Sequence, residues 1–399
     1  MTNEAIRQFI KTHRREDVRQ LALKYSKRLA GDLPFVLDQI RGWQTARYKI
    51  PLWAAMDDIV YPPHLSIEQC SSETTARYKA SIAGSGRRFV DLTGGMGVDF
   101  SWMSLSYEER IYVERNPELC ALARNNFKAL GLDATIIHDE AENYLKKMDS
   151  VDTIFLDPSR RDSNGNRTYD ISDCTPNILT LLPLLLQKSR RVIIKLSPML
   201  DWHQAVVLLG PIVSQVHIIS VSNECKELLF VLDSEKPREM TIHCVNDEQE
   251  FIFHADTHPP VDSHSLEGNA SALSPTESPQ YLYEPNASIM KAGCFNLLSQ
   301  RFQVKALAPN SHLFIADTLV SDFPGRTFSI ITISSLGKQS LRQHLSGIKK
   351  ANITIRNFPE SAAALRKRLK ITDGGDIYLF ATTLSTGDHR LFICKKVKS

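Results

Sequence analysis

No apolar run in this sequence approaches the roughly 20 residues that a membrane-spanning helix needs. The opening residues, Met1 to Asp17, hold no apolar core of the kind that marks a signal peptide. A cytoplasmic location is therefore expected. Cysteine is sparse and scattered. The seven, at positions 70, 120, 174, 225, 244, 294 and 394, are odd in number and never stand in C-x-x-C spacing. This excludes a disulfide framework and a zinc site, and it predicts reduced thiols. No other set of residues has metal-ligand spacing, and no segment repeats.

Neither sign of charge dominates: the formal net charge is +3, and the hydrophobic content is 42%. These are ordinary values for a soluble chain, and 399 residues suffice for two or three domains. The charge is unevenly placed, however. Arg301 to Ser399 hold 16 Lys and Arg against 6 Asp and Glu, whereas the first 300 residues hold 32 against 39. A basic C-terminal module on a mildly acidic body suits a polyanionic partner. A solvated basic surface is the plainer alternative.

Residues 1–80 read as a helical N-terminal domain. Thr2 or Asn3 can cap a first helix that carries Ile6, Phe9 and Ile10 on one face. Val18, Leu21, Ala22 and Tyr25 continue at helical spacing, Gly31 to Pro34 interrupts, and Phe35 to Trp43 resumes. Ser71 or Ser72 can cap a further helix over 74–83.

The rest of the chain is organised around Arg87 to Asp99, RRFVDLTGGMGVD. An apolar run ends in Asp91, and Thr93, Gly94, Gly95, Gly97 and a second carboxylate, Asp99, follow. A strand that enters a glycine-rich turn and then a helix opens a doubly wound α/β domain, whose ligands bind at the carboxyl ends of the strands. The glycines let backbone approach a ligand closely. The dinucleotide fingerprint G-x-G-x-x-G is not met, because the sixth position from Gly95 is Phe100. Strands are expected at 88–92, 110–114, 134–137, 151–156 and 191–196. Helices are expected at about 97–105, 117–130, 140–147 and 174–187. Val216 to Leu232 holds two strands with almost no linker, so these two must pair antiparallel.

Five parallel strands followed by an antiparallel hairpin resemble the class I S-adenosylmethionine (SAM) methyltransferases, over roughly residues 68 to 233. The resemblance implies a Rossmann-like seven-stranded SAM methyltransferase domain over 81–235, with SAM as cofactor. Asp91, Gly94, Gly95 and Gly97, with Thr93 between them, then stand where that family holds the methionine part of SAM. A carboxylate there complements the ammonium and sulfonium charges. Glu114, in IYVERNP, stands at the offset of the acid that takes the ribose hydroxyls. Asp139 and Ala141, in IIHDEAENYL, fall where the third strand's end contacts adenine. Gln69, after Glu68, and Thr74 resemble the segment that folds over the methionine carboxylate.

The fourth strand ends FLDPSRRD. Asp157, Pro158 and Ser159 resemble the Asp/Asn-Pro-Pro-aromatic tetrad of amino-group methyltransferases, with Ser159 for the second proline and Arg160 for the aromatic. The stretch is also similar to the Asp-Pro-Pro-Arg of uracil-C5 enzymes. Those need a cysteine at the end of the fifth strand, where this chain has Lys195-Leu196-Ser197-Pro198. Methyl transfer needs alignment and a proton acceptor for an amine or oxygen nucleophile, and Asp157 is the candidate. Arg160 and Arg161 either grip a phosphate or pair with Asp162 and Asp170. Lys195 either meets Asp157 or substrate, or is a satisfied ion pair.

Residues 236–280 read as a connecting segment, with possible strands in Met240 to Phe253 and a Ser/Pro-rich stretch from Asp262. From Tyr281 onward, YLYEPNASIMKAG and ALRKRLKITDGGDIYLFATT resemble the THUMP-like module found beside some bacterial methyltransferase domains. This implies a small α+β, ferredoxin-like subdomain over 281–325 and a THUMP-like basic α+β domain over 326–399. It also implies RNA as partner, with Arg366, Lys367 and Lys370 of a basic helix on phosphates. The expected function is methylation of a base in structured RNA, rRNA or tRNA, without metal or membrane. Two alternatives stay open: a protein or small-molecule methyltransferase, and an inactive SAM-fold RNA-binding protein.

Overall fold

The computed structural model describes residues 4–26, 31–159, 171–235, 239–255 and 279–397. Among the described residues six helices come first: α1 (Glu4–His13), α2 (Val18–Tyr25), α3 (Leu33–Lys49), α4 (Pro51–Ala54), α5 (His64–Gln69) and α6 (Glu73–Ala83). Ile6, Phe9 and Ile10 of α1 pack with Val18, Leu21 and Tyr25 of α2 against Val36 and Ile40 of α3, so the helical spacing of the sequence becomes one apolar seam. Asp17 caps α2 by accepting from the backbone N–H of Arg19 and Gln20. Ser72 caps α6 through the N–H of Thr75. Thr2 and Asn3 lie outside the described residues.

Strand and helix then alternate. The order is β1 (Gly86–Asp91), α7 (Val98–Met103), β2 (Tyr107–Glu114), α8 (Pro117–Ala129), β3 (Thr135–His138), α9 (Ala141–Lys147) and β4 (Val151–Leu156). It continues with α10 (Ile178–Lys188), β5 (Ser189–Leu196), α11 (Trp202–Leu209), β6 (Val213–Val221) and β7 (Glu224–Asp233). The strand order is β3-β2-β1-β4-β5-β7-β6. β1 to β5 pair parallel, and β7 pairs antiparallel with β5. Parallel strands are buried on both faces and read as continuous apolar runs. Val90, Ile154, Val192, Ile193 and Ile194 are all fully buried. α11, which the sequence pattern does not announce, is capped by Asp201.

Two compact units divide the chain. The first holds Met1–His217 and Lys226–Thr241, and the second holds Ile218–Cys225 and Ile242–Ser399. β8 (Met240–Asn246), which belongs to the second unit from Ile242 on, and β9 (Gln249–Ala255) occupy the stretch where strands were possible, in the order β6-β8-β9. Next come β10 (Tyr281–Pro285), α12 (Ala287–Ala292), α13 (Phe295–Phe302), β11 (Lys305–Ala306) and β12 (Phe314–Ala316). α12 and α13 are separate helices, because Gly293 turns left-handed (φ 74°) and caps α12. The chain ends with β13 (Gly325–Ser335), α14 (Lys338–His344), β14 (Asn352–Arg356), α15 (Ala362–Leu369), β15 (Ile377–Thr383) and β16 (His389–Lys396).

The second sheet runs β11-β12-β10-β13-β16-β15-β14. Leu365 of α15 is fully buried with Leu379 and Ile393, and Leu369 packs beside them. Lys370 is not part of the helix. It takes a left-handed conformation as C-cap (φ 56°), so it does not share a helical face with Arg366. Glu284 of β10, almost fully buried, is held by Arg326 of β13 and by Arg356 of β14, the latter at 3.0 Å.

Candidate active site

β1 delivers Asp91 to the sheet's carboxyl end, where its side chain is 1% exposed. Its Oδ1 accepts from the backbone N–H of Thr93 at 2.9 Å. The chain then folds back tightly, with Gly95 and Gly97 at positive φ (56° and 81°). Gly94 tolerates no side chain: a Cβ would stand 2.1 Å from the Tyr112 ring. Glu114, at the tip of β2, clamps this loop. One carboxylate oxygen accepts from the N–H of Gly95 and the other from that of Asn116, both at 2.8 Å. Thr93 reaches across to β4, where its Oγ1 accepts from the N–H of Asp157.

These tips enclose a cavity of about 330 Å³, within the ~300–1,000 Å³ of small-molecule sites. Asp91, Thr93, Gly94, Gly95, Gly97 and Glu114 line it, as do Gln69 and Ala141. Asp157, Ser159 and Lys195 complete the part of the wall that the sequence singled out. Three of the expected residues stand apart from this wall. Thr74 is exposed on the first turn of α6, and Pro158 is buried and does not line the cavity. Asp139 turns aside to pair with Lys147 at 2.5 Å, while its neighbours Glu140 and Glu142 face the cavity. Arg160 and Arg161 lie outside the described residues. Arg366, Lys367 and Lys370 belong to the second unit.

The wall is acidic. Asp91, Asp99, Glu114, Glu140, Glu142 and Asp157 all contribute to it. Burial pushes the Asp91 carboxyl well above the usual range, and the negative charges of Asp99, Asp157 and Glu114 add to this. A cationic ligand relieves that crowding. The residues therefore fit SAM, whose methionine end carries an ammonium beside a sulfonium.

Three of the lining charges, Asp157, Lys195 and Asp99, open a network that runs inward to buried Lys79 and Glu227. Lys195 Nζ stands 2.5 Å from Asp157 Oδ2 and 3.2 Å from Asp99 Oδ2. Lys79, fully buried, meets Asp99 Oδ1 at 2.9 Å and both oxygens of Glu227 at 2.7 and 2.8 Å. Burial pushes the Asp99 carboxyl up, but Lys79 and Lys195 outweigh it and hold the group at about 2. Burial pulls Lys195 down, but Asp157, Asp99 and Glu227 outweigh it, and the ammonium stays charged far above its ordinary range. Among the described residues no group of His, Cys, Asp and Glu could hold a metal ion, and no helix is long and apolar enough to cross a membrane.

A protein of Porphyromonas gingivalis W83, whose crystal structure is titled as that of a candidate methyltransferase, is 32% identical to this chain. The match covers 100% of both chains, with a TM-score of 0.84. An uncharacterized SAM-dependent methyltransferase of Mycobacterium tuberculosis (strain H37Rv) is 24% identical over 328 residues, which are 81% of this chain and 84% of that one. The chain belongs to this SAM-dependent methyltransferase family. Two family models match the C-terminal part of the methyltransferase: a ferredoxin-like domain over 281–324 and a THUMP domain-like module over 325–396.

In the methyltransferase's sequence Ser71, Lys79 and Glu227 carry no motif that marks them for the site, and Asp99 shows only as a second carboxylate after the glycines. One signal was available. Lys79 shares a helical stripe with Ala76 and Ala83, both buried, so a charge on that stripe needs a partner. Glu227 stands immediately before the buried run Leu228 to Leu232 and gives a weaker sign of the same kind.

Proposed function

We propose that this methyltransferase methylates a base in structured RNA, rRNA or tRNA, with the C-terminal module aiding RNA binding. The observation that carries this reading is the THUMP domain-like match over 325–396, in the part of the chain where, from Arg301 to Ser399, basic residues outnumber acidic ones by ten. Lys367 and Lys370 have no ion-pair partner among the described residues, which leaves them available to phosphates.

Bound SAM supplies an electrophilic methyl group. The chain's own residues do the rest. Glu114 and the glycine loop are assigned to orient the cofactor, and Asp91 to balance its positive end. Asp157 Oδ2 is occupied by Lys195, while Oδ1 has no partner among the described residues. Asp157 Oδ1 would then accept the hydrogen bond of an amine or hydroxyl nucleophile and hold the proton that the nucleophile gives up on methylation. Ser159 and Arg160–Arg161, next along the chain, are assigned to the substrate side.

A protein or small-molecule substrate is the second reading. It is favoured by the pairing of Arg366 with Asp373 and of Arg368 with Glu360, which neutralises half of the basic cluster. Tritium transfer from labelled SAM to deproteinised total RNA of a strain lacking the gene separates the two. Nucleoside mass spectrometry of the same RNA should show one methylated nucleoside missing. Label in the protein or small-molecule fraction alone sinks the RNA reading.

A further inference from the structure

Asp157 is held by more than its own loop. Lys195 approaches it from β5, a strand whose neighbouring positions Val192, Ile193, Ile194 and Leu196 are buried and apolar. A leucine or methionine would fill that position without the several kcal/mol that burying an ammonium costs. The lysine is accommodated because every donor on it is used: Asp157 Oδ2 at 2.5 Å, Asp99 Oδ2 at 3.2 Å and Ser71 Oγ at 3.1 Å. The groups that hold it are themselves held. Ser71 Oγ donates to Asp99 Oδ2 at 2.7 Å and accepts from Lys79 Nζ at 2.8 Å, and Lys79 is fixed by Glu227. Ser71 follows Gln69 in the segment lining the cofactor cavity, and Asp99 stands at the start of α7, directly after the glycine loop.

We infer that Lys195 is a positioning residue. It pins one oxygen of Asp157 and so presents the other to the group being methylated, and Asp99, Ser71 and Lys79 fix its ammonium to the two segments that line the cofactor cavity. The inference rests on the reading of Asp157 as acceptor, but it needs neither RNA nor any other substrate.

Two cofactor analogues test it by calorimetry. S-adenosylhomocysteine has a neutral sulfur and no methyl group. Sinefungin carries a protonated amine where SAM carries the methyl. Wild type should prefer sinefungin by about tenfold or more, the scale of a charge-assisted hydrogen bond to Asp157. Asp157→Asn should remove most of this preference. Lys195→Met should remove a similar share, Lys195→Arg should retain much of it, and Lys195→Met added to Asp157→Asn should change it no further. Should Lys195→Met alone fail to fold, Lys195→Met with Asp99→Asn removes the stranded anion and carries the same expectation. A lysine that only balances charge gives the opposite sign, because its removal leaves the site more negative and sinefungin binds better. An unchanged or larger preference in Lys195→Met therefore overturns the inference. Equal affinities for the two analogues in wild type, or an unchanged preference in Asp157→Asn, overturn it together with the acceptor reading.

Discussion

Thr93 Oγ1 accepts a hydrogen bond from the backbone N–H of Asp157 at 2.6 Å, so the glycine loop after β1 and the tip of β4 are tied at one atom. The proposed acceptor is thus set in place by the loop assigned to the cofactor. Replacing the Asp157 side chain leaves that backbone bond intact. Asp157→Ala should keep SAM affinity within a few-fold and lower turnover by at least ~100-fold, the usual scale for a positioned acceptor. Single-turnover kinetics beside calorimetry checks this, and near wild-type turnover would reduce Asp157 to a turn residue.

Glu114 holds the N–H groups of Gly95 and Asn116. If it also takes the ribose hydroxyls, Glu114→Ala should weaken SAM binding by about 1.5–3 kcal/mol. Thermal unfolding of the variant must stay cooperative for the comparison to count. Unchanged affinity would remove Glu114 from the cofactor's contacts.

Asp91 gives a pH prediction. Its carboxyl is held well above the ordinary range by burial and neighbouring anions, so it carries a proton at pH values where a free aspartate does not. A cation arriving beside it favours the ionised form, and the proton leaves. SAM binding should therefore release a proton and tighten as pH rises, by at most about tenfold per pH unit, until the free protein's Asp91 has itself ionised. The sign for folding is opposite in consequence: stability contributed by neutral Asp91 is full below the ordinary carboxylate range and fades as pH rises towards its folded value. Calorimetry in buffers of different ionisation enthalpy counts the protons. Asp91→Asn should abolish the release, and proton uptake in wild type would contradict the assignment.

The RNA reading yields a salt prediction. Each phosphate contact on a single strand adds about −0.7 to the slope of log K against log salt. Lys367→Glu with Lys370→Glu should flatten the slope by about 1.4 and leave SAM affinity unchanged. Filter binding across a salt series reads it. Parallel slopes would make these lysines a solvated surface.

Most of the first sheet was legible because its strands are buried on both faces. Ile154 to Leu156 and Val192 to Ile194 stand out as apolar runs wherever they are met. Of the tip acids that the resemblance implies, Asp91 and Glu114 line the cavity, whereas Asp139 turns aside to Lys147. α11 was illegible because its outward face is apolar too: Val207 is 59% exposed and Leu208 40%, so no polar stripe marks the helix. α14 offers seven residues with none fully buried, too little for a period to show. The charge network was hidden for another reason. Lys79 and Glu227 are 148 positions apart and meet only through the fold. Lys370 misled by one residue, since helix ends are set by the cap and not by the charge pattern.

Glu284 bears on where this chain can be divided. The boundary between the two family matches falls between residues 324 and 325. The carboxylate on one side of it neutralises two guanidinium groups on the other, and β10 from the first stretch pairs along β13 of the second from Tyr281 to Pro285. A fragment beginning at Gly325 would present β13 as a bare edge and leave Arg326 and Arg356 without their shared anion. The two stretches are separate as patterns of sequence, yet they make one object, and the smallest piece that keeps both halves of this contact begins at β10.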